Sequence, residues 1–274
     1  MLVSHFGRNR NQFTSQTPMS EDHMRRYAPA IFADGAHESR SDRYTYIPTI
    51  ELLRGLKNEG FEPFMVAQAR TRDEGQRDHA KHLVRLRHAN HLSEENANEI
   101  ILLNSHNGTS SYQMLSGVFR FVCANGLICG DRHHDIRVPH KGNIKDQVMQ
   151  GANVILEDFD LITEARETMQ AIALAPREQQ AFAAAALQLR YDDPTKPAPI
   201  DEEQVLRPRR KADTENDLWT VFNRVQENVI RGGQLGRNAK GRPARTRAVN
   251  GIDQSTALNR ALWTLAEALR DHKA

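Results

Sequence analysis

Two cysteines in 274 residues, Cys123 and Cys129, are too few for a disulfide framework in a chain this long; they fit a reducing compartment and small core side chains. Aromatic residues are scarce at 6%, so the core has to rest on Leu, Ile, Val and Ala. The longest unbroken apolar run, Ala181 to Leu187, falls far short of the roughly twenty residues that cross a bilayer. Met1 to Arg10 is polar where a secretory signal is apolar, and a cytoplasmic protein with no membrane partner is the expectation. An excess of one charge sign is missing too: the formal net charge is +2, which alone is no argument for nucleic acid. Neither G-x-x-x-x-G-K-[ST] nor G-x-G-x-x-G occurs, which removes the best markers of nucleotide hydrolysis and dinucleotide redox chemistry, and no cofactor is expected.

What is there is an ordinary folded composition, 39% hydrophobic and 26% charged. Residues 1–40 show no sustained period and read as a flexible arm. From Tyr44 a β-prone stretch leads to Pro48 and a helix carrying Ile50, Leu52, Leu53 and Leu56, which Gly60 ends. Phe64–Thr71 and His82–His88 flank a polar turn and predict a hairpin; Glu99–Ser105, Gly117–Cys123 and Ile136–His140 predict further strands, separated by the turn dipeptides Asn107-Gly108 and Asn125-Gly126. Strands joined this closely make an antiparallel meander, so the fold class is α+β, with the core domain over 41–191. Helical spacing then runs from Ile144 to Ala175, and an Ala-rich helix follows Pro176. Residues 192–214 hold Pro194, Pro197, Pro199, Pro208 and the cluster Arg207-Pro-Arg-Arg-Lys211 and predict a basic linker. Residues 215–274 predict a helical C-terminal region: an amphipathic helix from Asp217 to Ile230, then a loop over 231–250, then a helix that Ser255 caps. Trp219, Phe222, Leu262 and Trp263 are expected in the core.

Four kinds of residue could carry chemistry. Histidines crowd the hairpin (His79, His82, His88, His91) and recur at His106, His133, His134 and His140. Metal binding needs imidazoles converging at about 2.0 Å on one ion. His82 and His88 on one strand face would lie roughly 20 Å apart, and C-x5-C is no zinc knuckle, so no metal is expected. The polar stretch Asn104, Ser105, His106, Asn107 is either a phosphate- or nucleophile-positioning loop or a turn whose hydroxyls satisfy backbone groups; Ser105 and His106, as neighbours on a strand, make no dyad. Arg120, in an otherwise apolar strand, must be ion-paired or aimed at a ligand. The basic segments are the most suggestive. Arg231, Arg237, Lys240, Arg242, Arg245 and Arg247 lie in a stretch with no acidic residue, and Arg70, Arg72, Arg85 and Arg87 could stripe the hairpin. Clustered cations without acids suit contact with sugar-phosphate.

The stretches Asn104-Ser-His-Asn-Gly-Thr-Ser-Ser-Tyr112 and Gly117-Val-Phe-Arg-Phe-Val-Cys-Ala-Asn-Gly-Leu-Ile-Cys-Gly130 resemble the core of domain-of-unknown-function family 932, phage- and plasmid-borne proteins of the YfjQ and YafZ type. Leu206-Arg-Pro-Arg-Arg210, Asp217 through Gly233 and Leu258-Asn-Arg-Ala-Leu-Trp263 carry the resemblance on over residues 40–274. It implies residence on mobile elements, where DNA-processing and anti-defence genes cluster. The order strand, helix, meander, helix also resembles the DNA-binding core of single-strand annealing recombinases, a likeness of fold alone. With no catalytic constellation in view, the expectation is a DNA-binding protein, a single-strand annealing or recombination factor, with a homo-oligomer as a further expectation. An inhibitor that binds a host defence protein is the rival class. A metal-dependent nuclease is disfavoured because no carboxylate cluster stands out.

Overall fold

In the computed structural model of the chain, residues 12–41, 44–92, 96–122, 125–129, 135–193 and 195–273 are described. They fall into two compact units, each discontinuous in sequence. The first holds the residues up to Gly117 and the stretch ending at Phe159; the second holds the residues from Val118, and those from Asp160 onward.

The first unit is built on a meander. Helix α2 (Thr49–Asn58) forms where Ile50, Leu52, Leu53 and Leu56 recur at helical spacing, and all four are buried. Strands β2 (Phe61–Gln68), β3 (His82–Leu92) and β4 (Asn96–Asn104) follow, each antiparallel to the last, with a bulge between Pro63 and Met65 where proline cannot serve the ladder. Strand β5 (Tyr112–Arg120) lies beside β4, and β7 (Asp135–Val138) pairs antiparallel with β5. Along β4 every residue is buried, so this strand is covered on both faces. Helix α3 (Ile144–Ala171) brings Ile144, Val148, Ala152, Ile155 and Phe159 to this unit as one buried stripe. The antiparallel α+β architecture is the one the strand spacing implied.

Covering both faces of β4 creates an electrostatic requirement. Glu99 is fully buried, and a lone buried carboxylate would cost several kcal/mol. Register supplies the remedy: Arg87 stands directly opposite Glu99 on β3, and Arg85 is the diagonal neighbour two residues along. Arg87 Nε donates to Glu99 Oε1 at 2.8 Å and Arg85 Nη1 to Oε2 at 2.6 Å. The Arg87 guanidinium also lies 4.3 Å from the Phe64 ring centroid.

The stretch expected as an arm belongs to this unit from Gln12 on; residues 1–11 lie outside the described residues. Strand β1 (Gln12–Thr14) pairs antiparallel with β2, and α1 (Glu21–Tyr27) leads into a 3-10 turn, Pro29–Phe32. Met19, Met24, Ala28, Ala30 and Ile31 are buried, and the Ala30 amide donates to Gln68 Oε1 at 2.9 Å. Met19, Met24 and Ala28 bury at irregular intervals and residues 30–33 bury together at the 3-10 turn, which leaves no period to read.

The second unit is helical. It includes β6 (Asn125–Ile128), α4 (Pro176–Arg190), α5 (Glu202–Leu206), α6 (Leu218–Arg231) and α7 (Ile252–Lys273). Asp217 caps α6 by accepting from the Thr220 amide at 2.8 Å. Residues 218–229 of α6 are buried on all sides. Trp219, Phe222 and Trp263 pack with rings edge-on or tilted, 5.8–6.3 Å between centroids, and Leu262 is buried with them, as expected. The segment 192–214, expected as a linker, is packed here where it is described: Ile200, Val205 and Asp213 are buried, and Arg210 Nη2 donates to Glu227 of α6 at 2.7 Å. Its prolines restrict the backbone without freeing it, and its arginines answer acids inside the unit.

Replacing Glu99 by alanine removes the carboxylate that two buried guanidinium groups share and is expected to cost about 3–5 kcal/mol. Urea unfolding measures it. The triple change Glu99→Leu, Arg85→Met, Arg87→Met should recover most of the loss, because an apolar trio removes the desolvation penalty along with the pairing.

Candidate nucleic-acid interface

The cations singled out in the sequence are placed in two different ways. Arg70 and Arg72 are exposed in the connection after β2. Arg85 and Arg87, in contrast, are 6% and 1% exposed and committed to Glu99. Strand alternation does put residues 85 and 87 on one face, but that face is interior, so no solvent-facing stripe of four arginines forms on the hairpin. Arg120 is also buried, and its Nη1 donates to Asp213 Oδ1 at 2.5 Å. That pairing is what a guanidinium on an interior strand requires.

Residues 231–250 carry more structure than the loop expected of them. Strands β8 (Leu235–Arg237) and β9 (Pro243–Arg245) form an antiparallel ribbon in which Leu235 faces Arg245, Gly236 faces Ala244 and Arg237 faces Pro243. Local chemistry closes the tip. Asn238 Oδ1 accepts from the amides of Lys240 and Arg242, both at 3.0 Å, and Gly241 takes a φ of +74° that other residues resist. The base is clamped to the segment before α5: the Arg237 amide donates to the Pro199 carbonyl at 2.8 Å, and Gln204 Nε2 to the Leu235 carbonyl at 2.6 Å. A Cβ at Gly236 would sit 1.9 Å from the Pro199 oxygen, so the close approach demands glycine.

This ribbon sorts its cations. Arg231, at its root, is bound to Glu227 of α6. Arg237, Lys240, Arg242, Arg245 and Arg247 are exposed, and among the described residues none of them is paired with a carboxylate. Two further arginines brace the stem. Arg190 Nη2 donates to the Arg247 carbonyl at 3.3 Å and Arg209 Nη2 to the Gly232 carbonyl at 2.8 Å. Neither stood out in the sequence as part of an interface, because their positions depend on how α4 and residues 207–210 pack.

The polar stretch Asn104–Asn107 sits in the first unit and spends its groups internally. Ser105 Oγ accepts from the Ser110 amide at 2.8 Å, and Asn107 Oδ1 from the Thr109 amide at 3.2 Å. Asn104 and His106 join His82 around Thr49, all four fully buried. His82 Nδ1 lies 3.0 Å from the Ala80 carbonyl and must donate to it, which leaves Nε2 as acceptor for the one Thr49 proton at 2.9 Å. Thr49 Oγ1 then accepts from Asn104 Nδ2 at 3.1 Å and from His106 Nε2 at 3.2 Å. The network closes only with His82 neutral at Nε2; His106 donates to Thr49 from Nε2 whether or not its Nδ1 carries a proton. Burial holds His82 down to about 4, and burial with the neighbouring histidines holds His106 down to about 2. Among the described residues no group of three or more His, Cys, Asp or Glu side chains is arranged to hold a metal ion. Cys123, His133 and His134 lie outside the described residues.

Because both folded-state values are below the ordinary histidine range, protons favour the unfolded chain as the pH falls. Above roughly pH 6.5 neither histidine contributes a penalty; between there and about pH 4 each costs about 1.4 kcal/mol per pH unit. Urea midpoints should therefore fall steadily on acidification through this window. In His82→Gln, which keeps an acceptor for Thr49, the slope should shrink by about one proton; an unchanged slope would show that His82 does not set it.

Compared with known proteins, the chain matches the family described as Domain of unknown function (DUF932) over residues 36–263. It is 52% identical over 268 residues to the UPF0380 protein YafZ of Escherichia coli (strain K12), covering 98% of this chain and 97% of that protein. It is 50% identical to the UPF0380 protein YfjQ of the same organism, with the same coverage. No solved structure matches. Agreement at this level along nearly the whole length makes the chain a member of the DUF932 family, as a UPF0380 protein.

Proposed function

We propose that the chain is a nucleic-acid-binding protein that contacts the sugar-phosphate backbone through the ribbon of residues 231–250. The observation that carries this reading is the set of five exposed cations from Arg237 to Arg247 with no carboxylate partner among the described residues, held on a ribbon clamped at its base. Like charges crowded on one surface oppose folding, so a cluster of this kind is costly unless a polyanion neutralises it. Phosphates do so with release of counterions, and five contacts would give a salt slope of about −4 to −5 on duplex DNA. Annealing and recombination on a mobile element are finer readings that rest on resemblance and follow only where DNA binding is found.

The test is a binding titration over a salt series with the full chain and the variant Arg237→Ala, Lys240→Ala, Arg242→Ala, Arg245→Ala. These side chains bury little, so stability should move by no more than about 0.5 kcal/mol per site. Each lost contact should lower the salt slope by about one unit. A wild-type chain with no salt-dependent binding, or a variant with an unchanged slope, would end this reading. An inhibitor acting on an acidic protein surface would then account better for the same cations.

A further inference from the structure

Resting on the nucleic-acid reading, we propose that the ribbon's outward face docks in the major groove of double-stranded DNA and reads base edges there. The two faces of the ribbon differ in kind. Alternation puts Gly236 and Ala244 on one face, and that face is seated on Pro199 and Ile200, too close for any side chain at 236. Leu235, Arg237, Pro243 and Arg245 occupy the other face, and all four are exposed. The small residues thus lay the ribbon flat on its unit and turn the larger side chains toward solvent.

Dimensions and composition then select the partner. Two strands about 4.8 Å apart, with side chains on one face, fit a groove about 12 Å wide and overfill one about 6 Å wide. The major groove of duplex RNA is too deep and narrow to be reached this way. Single strands are held by stacking their bases on aromatic rings, and no aromatic residue occurs between Phe222 and Trp263. What the outward face offers matches a major-groove edge. Arginine pairs with guanine O6 and N7, and an apolar side chain covers the thymine methyl. Leu235 is 60% exposed on a ribbon that is otherwise polar and cationic, which phosphate contact alone leaves unexplained. Arg237 and Arg245 each spend Nη1 on a ribbon carbonyl, Gly241 at 2.9 Å and Gly233 at 3.0 Å. Those bonds fix the guanidinium groups and leave their other donors for a ligand. Lys240 and Arg242 at the tip and Arg247 at the stem would take the flanking phosphates.

The experiment uses the full chain and a labelled DNA duplex selected from a random-sequence pool, with its separated strand and the duplex RNA of the same sequence beside it. The duplex DNA should bind at least about tenfold tighter than either. Filling the major groove with glucosylated 5-hydroxymethylcytosine should abolish that preference, while netropsin in the minor groove should not. The variant Arg237→Lys, Arg245→Lys should keep the salt slope and lose at least about tenfold on the selected duplex, because lysine keeps the charge and loses the two-pronged geometry. Leu235→Ser should weaken binding without altering the slope. Equal or tighter binding of the single strand or the RNA, displacement by netropsin, or indifference to glucosylation would overturn the groove assignment and leave backbone binding standing. Absence of salt-dependent binding to all three nucleic acids would end both.

Discussion

A buried charge must be paired, and this rule sets one group of arginines apart from those of the ribbon. Glu99 takes Arg85 and Arg87, Asp213 takes Arg120 and Arg210, and Glu227 takes Arg210 and Arg231. In every case the carboxylate is almost wholly buried, so breaking a pair leaves an uncompensated ion in the interior. These arginines are part of the architecture. The cations from Arg237 to Arg247 stand apart because no acid occurs between Arg231 and Asn250 in the sequence, and packing brings none to them among the described residues. The near-neutral total conceals the contrast.

The same rule with the opposite solution governs the histidines. Among the described residues no carboxylate is hydrogen-bonded to the imidazoles at Thr49, and burial keeps His82 and His106 neutral, joined through the threonine hydroxyl. A single threonine hydroxyl that donates once and accepts twice ties α2, β3 and the end of β4 together with its neighbouring loop. Two of the histidines that crowd the sequence, His82 and His106, therefore form a neutral hydrogen-bonded junction, and its chemistry is sensitivity to acid.

Much of the architecture was legible in the sequence because local patterns carried it. Turn dipeptides and strand-length apolar runs announced the meander, and the stripe of Leu218, Phe222, Val225 and Val229 announced α6. What escaped was set by distant partners. Alternation placed Arg85 and Arg87 on one strand face but could not say that this face would be interior and that Glu99 would be opposite. The packed N-terminal stretch escaped because its buried residues, Met19, Met24, Ala28 and then 30–33, follow neither a helical nor a strand period. Residues 192–214 read as a linker because prolines and arginines usually mark one; their partners, Asp213 and Glu227, become visible only once α6 is in place. The basic segment was legible as a charge pattern, and its ribbon was not, since strands of three residues show no period.

The ribbon's stability shows why these missed contacts matter for the surface. A two-stranded ribbon is marginal in water, and five like charges weaken it further. Its ladder spans only three residue pairs, too few to hold alone. What fixes it lies outside it: the Pro199 carbonyl, the two side-chain bonds that Gln204 and Gln234 exchange with neighbouring backbone, and the arginine braces at its stem. Pro199 and Gln204 belong to the segment that looked like a linker, and that segment is fastened in turn by Arg209 and Arg210 on α6. The paired arginines thus position the unpaired ones. A change at Arg210 or Glu227 would reach the cationic surface without altering its charge, because the platform under Gly236 would shift first.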